Sequence, residues 1–249
     1  MGWRLRKQIL IALLFFIILL IPAYLIYLKF KPVYSCYNNK QDYNEEGVDC
    51  GGPCVPCEVY KLQELKVKQP QIVIYPDQTM DVVVSITNPN EEYGLKNFKY
   101  EIFFYGENNK IAKISGESFI FPLEEKYLIE QNISVPSFAI KKSEAKITPP
   151  NKEDWIKTQQ RKPNIELLNY TLDENYFSAK ILNKDYRNYD ELKLYFLLYD
   201  EFDTLIGTLK TEIYDLKAQE QKEIKIFSLP YLLSEVKNVI IYPEYKIEE

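Results

Sequence analysis

"VVVSITNPNEEYGLKNFKYEIFFYGENNKIAKIS", residues 82–115, and "FSAKILNKDYRNYDELKLYFLLYDEFDTLIGTLK", residues 177–210, are the two stretches on which the fold turns. In the first and just before it, Met80, Val82, Val84 and Ile86 alternate with their neighbours, and so do Phe98, Tyr100, Ile102 and Phe104. In the second, Phe177, Ala179 and Ile181 alternate, followed by Leu192, Leu194, Phe196 and Leu198. A period of two puts each set on one face of a sheet. Turn-forming clusters separate the runs: Asn88-Pro89-Asn90, Gly106 to Asn109, and Asp200 to Asp203.

The two stretches also resemble each other. Asn88 aligns with Asn183. From Tyr105 and Tyr199 onward a gap-free register brings Ile111 to Leu205, Pro136 to Pro230 and Pro149 to Pro243. An internal duplication is therefore expected. Each copy would hold about seven short strands in roughly 90 residues, the pattern of an immunoglobulin-like β-sandwich. Two sheets closing on each other bury both alternating faces and give so small a unit a core. The predicted fold class is all-β, with one transmembrane helix, a short disulfide-rich segment and two tandem sandwiches.

The helix comes first. From Ile9 to Leu28 the chain carries no charge. At 1.5 Å per residue this span is about 30 Å of helix, enough for a hydrocarbon core. Pro22 is tolerated in such a helix, and Trp3, Tyr24 and Tyr27 stand where aromatic belts form. The run is longer than the apolar region of a signal peptide, and Leu28-Lys29-Phe30-Lys31 offers no small-residue cleavage site. An uncleaved anchor in the lipid bilayer is expected. Arg4, Arg6 and Lys7 precede it and Lys29 and Lys31 follow, so the positive-inside bias puts the N-terminus in the cytoplasm and the rest outside the plasma membrane.

Composition narrows the chemistry. The 249 residues are 46% hydrophobic and 27% charged, with a net charge of -5. No clustered basic face is present for a phosphate backbone, so nucleic acid is not an expected partner. There is no histidine, which removes Ser-His-Asp and Cys-His catalysis and every His-ligated metal site. Tyrosine is abundant at 21 and favours strands, while glycine is scarce at 8. No phosphate-binding glycine loop, G-x-S-x-G elbow or H-E-x-x-H helix occurs. Asp200, Glu201 and Asp203 could pass for paired carboxylates, but they fall at a predicted hairpin tip. The chain is expected not to be an enzyme.

All four cysteines, Cys36, Cys50, Cys54 and Cys57, lie in "CYNNKQDYNEEGVDCGGPCVPC". The spacing admits two disulfides, a four-thiolate zinc site or redox thiols. A zinc ribbon usually shows two C-x2-C hairpins, and here Cys54 and Cys57 alone have that spacing. An oxidising compartment favours disulfides. Between the cysteines, Asn38, Asp42, Glu45 and Asp49 offer oxygens that suit a hard cation, so calcium is a candidate ligand there. The same residue types form plain turns, and no other cofactor is expected.

The cysteine segment resembles a motif of membrane-anchored and secreted microbial proteins, C-x-[DN]-[GN]-x-x-[ND]-x-x-E-x-G-x-D-C-G-G-x-C-x-x-C. Cys36, Asn38, Asn39, Asp42, Glu45, Gly47, Asp49, Cys50, Gly51, Gly52, Cys54 and Cys57 fill its places, with Asn39 where glycine is commoner. The resemblance implies an envelope location. Phe196 to Asp200 and then Leu205-Ile206-Gly207 are similar to the FxLYD family of bacterial β-sandwich domains, with a weaker version at Phe103 to Gly106. That resemblance implies extracytoplasmic interaction modules.

The expected order is a cytoplasmic N-terminus (1–8), the anchor (9–28), a cysteine-rich stalk (29–58), a first sandwich (59–150), a linker (151–163) and a second sandwich (164–249). The linker is polar and proline-bracketed, and Trp155 is its one large apolar side chain. Trp155 is expected to pack where the two sandwiches meet, or to anchor a partner. Asn132 and Asn169 head sequons. The expected role is binding or adhesion at the cell envelope, to another envelope protein or a surface polymer. The alternative is an assembly subunit of a membrane complex.

Overall fold

The protein is described from a computed structural model, which covers residues 2–30, 35–42, 44–107, 109–135, 140–173, 175–227 and 235–246. Lys31, Asn108, Pro136 and Pro230 lie outside the described residues. The chain forms two compact units, Met1–Glu58 and Val59–Glu249.

In the first unit, helix α1 spans Trp3–Phe30 and continues through Pro22. It overruns the charge-free span at both ends, because Arg4, Arg6, Lys7 and Lys29 are good helix formers and no breaker stands beside them. Its apolar side chains, Leu14, Phe16, Ile18 and Leu20 among them, are exposed. The helix is long and apolar enough to cross a bilayer.

The second unit is antiparallel β-structure. In its first half, β1 (Lys66–Val67) and β2 (Gln71–Ile74) share one edge of β3 (Met80–Thr87), and β6 (Glu125–Ile133) takes the other. Facing them, β4 (Tyr93–Tyr105) pairs with β5 (Lys110–Ile120) on one edge and with β7 (Lys142–Ile147) and β8 (Trp155–Lys157) on the other. In the second half, β10 (Phe177–Asn183) lies between β9 (Ile165–Leu172) and β13 (Gln221–Ile226). The facing sheet puts β11 (Tyr189–Tyr199) between β12 (Leu205–Leu216) and β14 (Asn238–Glu244). The halves thus share one strand order, although the second has six described strands rather than about seven.

Each half encloses a core built from the alternating residues. Val82, Val84, Ile86, Leu95, Ile102 and Phe104 meet in the first. Phe177, Ile181, Leu192, Leu194, Phe196 and Leu198 meet in the second. A third cluster joins the halves: Val73, Tyr75 and Val83 pack on Leu197, Tyr199 and Leu205. The sheet holding β3 and the sheet holding β11 are therefore covered on both faces. The four sheets form a stack with three apolar layers.

Asn88 and Asn183 occupy matching corners, and both are fully buried. The Asn88 amide donates to the carbonyls of Tyr93 and Phe121, and its Oδ1 accepts from Asn90 N–H. The Asn183 amide donates to the carbonyls of Arg187 and Lys217, and its Oδ1 accepts from Asp185 N–H. Each asparagine pins a sheet-to-sheet crossing to a distant turn. Those turns match too: Glu124 accepts from Phe121 N–H, as Glu220 does from Lys217 N–H.

The gap-free register does not hold beyond the hairpins. Tyr105 pairs with Lys110 but Tyr199 with Leu205, so the second hairpin is a residue longer. Tyr100 faces Ile147 where Leu194 faces Pro243. Pro243 therefore stands in the place of Ile147, not of Pro149. A short loop insertion is cheap in chain entropy, and strand pairing absorbs it by shifting register.

Candidate functional site

The stapled loop is built from backbone conformations that few residues adopt. Asn39, Asn44, Asp49, Gly51 and Gly52 all have positive φ. Asn, Asp and Gly bear this left-handed region best, which is why the loop is made of them. A Cβ on Gly52 would lie 2.3 Å from the Asn44 carbonyl oxygen. Asn39, at φ 56, does the work of the glycine commoner at that place.

Two crossed disulfides close the loop, Cys36–Cys54 and Cys50–Cys57. The first spans 18 residues, a closure that restricts the unfolded chain by about 3 kcal/mol in chain-entropy terms. Gly47 lies against the second: a Cβ there would come 2.9 Å from Cys50 Sγ and 3.2 Å from Cys57 Sγ. Side-chain oxygens then satisfy the loop backbone. Asp49 Oδ1 and Oδ2 accept from the N–H groups of Asn38 and Asn39, both at 2.9 Å. Glu45 Oε2 accepts from Asp42 N–H at 3.2 Å and Asp49 N–H at 3.1 Å. Asn38 Nδ2 donates to Asp42 Oδ2 at 2.8 Å, while Asp42 Oδ1 is buried without a hydrogen-bond partner among the described residues. The four predicted calcium ligands thus share one loop, where much of their bonding capacity goes to backbone donors and to each other.

The other candidates separate. Trp155 belongs to β8, pairs with Leu95 and packs half-buried against the first core. It closes that core rather than joining the halves, whose junction is the third cluster. Asp200 Oδ1 accepts from Phe202 and Thr204 N–H, a turn-closing role, and Glu201 and Asp203 are exposed beside it. Asn132 and Asn169 are both exposed on strands.

A buried polar seam between the halves had no signal in the sequence pattern. Lys126 shares a sheet face with Leu128, opposite Ile86 and Val84, yet it is fully buried. Its ammonium leaves the first core, crosses Phe119 at 3.8 Å and reaches Glu244 Oε2 at 3.2 Å and the Tyr242 hydroxyl at 3.3 Å. Tyr242 donates to Glu124 Oε1 at 2.7 Å. Burial first, and then the Glu124 carboxylate, holds the Tyr242 phenol well above 10.0. Elsewhere on the seam, Tyr75 and Thr208 hydroxyls both donate to Asp81 Oδ2, and Gln131 donates to Thr208 Oγ1. Lys126 on edge strand β6 is also an inward charge of the kind that blocks further strand addition. These groups fix one sheet on the other.

No family model matches the sequence, and no curated protein is similar to it. Among solved structures, the crystal structure of red sea bream transglutaminase is similar at a TM-score of 0.25 and 13% identity, over 86% of this chain. The matched region is 37% of the transglutaminase chain, so this protein spans little more than a third of that length.

Proposed function

We propose that this is a single-pass, non-enzymatic binding module of the cell envelope, with its N-terminus in the cytoplasm and its stapled loop and sandwiches outside. The observation that carries the reading is the succession of an exposed apolar helix and two disulfides along one short stretch of chain. Disulfides persist in oxidising compartments, and the Arg4, Arg6 and Lys7 cluster favours the same orientation. The cysteine segment's resemblance to microbial envelope proteins supports it as well.

The two halves are copies of one FxLYD-like sandwich, divided between β8 and β9 rather than across the whole 151–163 segment, whose β8 pairs with β4. Their common strand order and the matching bonds of Asn88 and Asn183 support a duplication. Because the inner sheets bury each other, a partner protein or surface polymer would meet the outer sheets and the loop ends. Impermeant reductant followed by impermeant maleimide on intact cells tests the orientation. Labelling of the cysteines without lysis supports an external stalk, and labelling that requires lysis overturns it. Binding of the Val59–Glu249 unit to cell surfaces tests the role.

A further inference from the structure

Glu45 is 6% exposed, and its two oxygens differ. Oε2 holds two backbone N–H groups. Oε1 lies 3.2 Å from Cys54 Sγ. That sulfur is bonded to Cys36 and carries no proton, so the contact is not a hydrogen bond. Among the described residues, Oε1 is therefore a buried carboxylate oxygen with no donor, aimed at a disulfide. An unsatisfied buried group of this kind is destabilising and asks for a reason. Asp42 Oδ1, in the same loop, is a second buried oxygen without a partner among the described residues.

One ligand chemistry answers the placement of Glu45 Oε1. The ligand atoms of Cys36, Glu45 and Cys54 all lie within 4.8 Å of one another. We propose that reduction of the Cys36–Cys54 disulfide opens a metal site, in which both sulfurs and Glu45 Oε1 bind a thiophilic divalent cation of the zinc type. The reductant is a dithiol. Its two S–H groups supply two electrons and two protons, the S–S bond breaks to two thiols, and the dithiol leaves as a cyclic disulfide. Each thiol then gives its proton to water as its sulfur bonds the metal, and Oε1 contributes a lone pair. Tetrahedral zinc takes sulfur at about 2.3 Å and oxygen at about 2.0–2.2 Å, which sets an oxygen–sulfur edge of about 3.5 Å. The existing 3.2 Å contact is already close to that edge. The fourth position is left for water or a ligand from a partner. The oxidised loop is the metal-free state, and the reduced loop the metal-binding one.

The test uses the full chain in detergent micelles. It is reduced with dithiothreitol, desalted without oxygen and titrated with Co²⁺ as a spectroscopic probe, then with Zn²⁺. The expected result is one Co²⁺ per reduced chain with a thiolate charge-transfer band, and none bound at these sulfurs in the oxidised chain. The Cys50→Ser/Cys57→Ser variant keeps the site, and Cys36→Ser/Cys54→Ser loses it. Glu45→Gln still accepts the two N–H groups but weakens uptake by at least the cost of an outer-shell partner, about tenfold. No uptake by the reduced chain overturns the proposal. Uptake indifferent to Glu45→Gln also overturns it, because unstructured thiols would behave that way. Equal loss in both cysteine-pair variants overturns it as well.

Discussion

Lys126→Met removes the charge at the centre of the seam and keeps the aliphatic stem. It leaves Glu244 Oε2 without its cation and Tyr242 without one of its two polar neighbours. Breaking a buried pair from one side costs about 3–5 kcal/mol, whereas hydrogen bonds to charged groups are worth about 1.5–3. The Glu244 side chain is 23% exposed, so water partly replaces the lost ammonium and the lower range applies. Loss of the cation over Phe119 adds to the cost. We expect a destabilisation of about 2–3 kcal/mol, which for a unit of this size is a melting-point drop of roughly 5–10 °C. Urea unfolding of the detergent-solubilised chain, followed by tyrosine fluorescence, measures it. A cycle with Glu244→Gln should show coupling of about 1–2 kcal/mol, because the two residues share one interaction. Lys126→Met within about 0.5 kcal/mol of the parent, or strict additivity with Glu244→Gln, would refute the seam as a stabilising contact between the halves.

Asn88→Ala and Asn183→Ala should each cost about 2–4 kcal/mol, since each removes three or more hydrogen bonds at a fully buried position, although the Phe121 and Lys217 carbonyls keep the N–H groups of Glu124 and Glu220. Chemical denaturation checks this, and the larger loss is expected at Asn88, whose Oδ1 also accepts from Asn90 Nδ2 at 2.9 Å. Gly47→Ala should disfavour the Cys50–Cys57 disulfide, seen as extra alkylated thiol in intact-mass spectra, while Cys36–Cys54 still forms. Alkaline titration should reveal tyrosines that ionise late. Burial, followed by the Asp81 hydrogen bond at Tyr75 and the Glu130 hydrogen bond at Tyr100, raises both phenols above 10.0. The unfolded chain then loses these protons first, so stability is full below pH 10 and falls as pH rises above it. Phenolate absorbance that appears fully at the ordinary tyrosine value, with the chain still folded, would contradict the burial.

The periodicity of two in Met80 to Ile86, Phe98 to Phe104 and Leu192 to Leu198 was enough to assign the strands and the inward faces, because alternation records which side of a sheet leaves water. Helix α1 was equally legible, since an uncharged run of membrane length has few other uses. The clustered cysteines pointed to a closed loop, and their crossed pairing was left open by the spacing. Val82-Val83-Val84 and Leu197-Leu198 carried one further signal: continuous apolar runs mark strands covered on both faces, as β3 and β11 are.

What covers those second faces is a matter of tertiary structure. Lys126 and Asp81 look like solvated strand residues until Glu244 and Thr208 arrive from distant strands to satisfy them. The same holds for Glu45, whose oxygen is brought to Cys54 by the loop's left-handed turns and crossed disulfides rather than by any local pattern. Local periodicity encodes which groups leave water. The partners that make burial of a charge affordable are set by contacts between residues far apart in the chain, and those exist only once the sheets have packed.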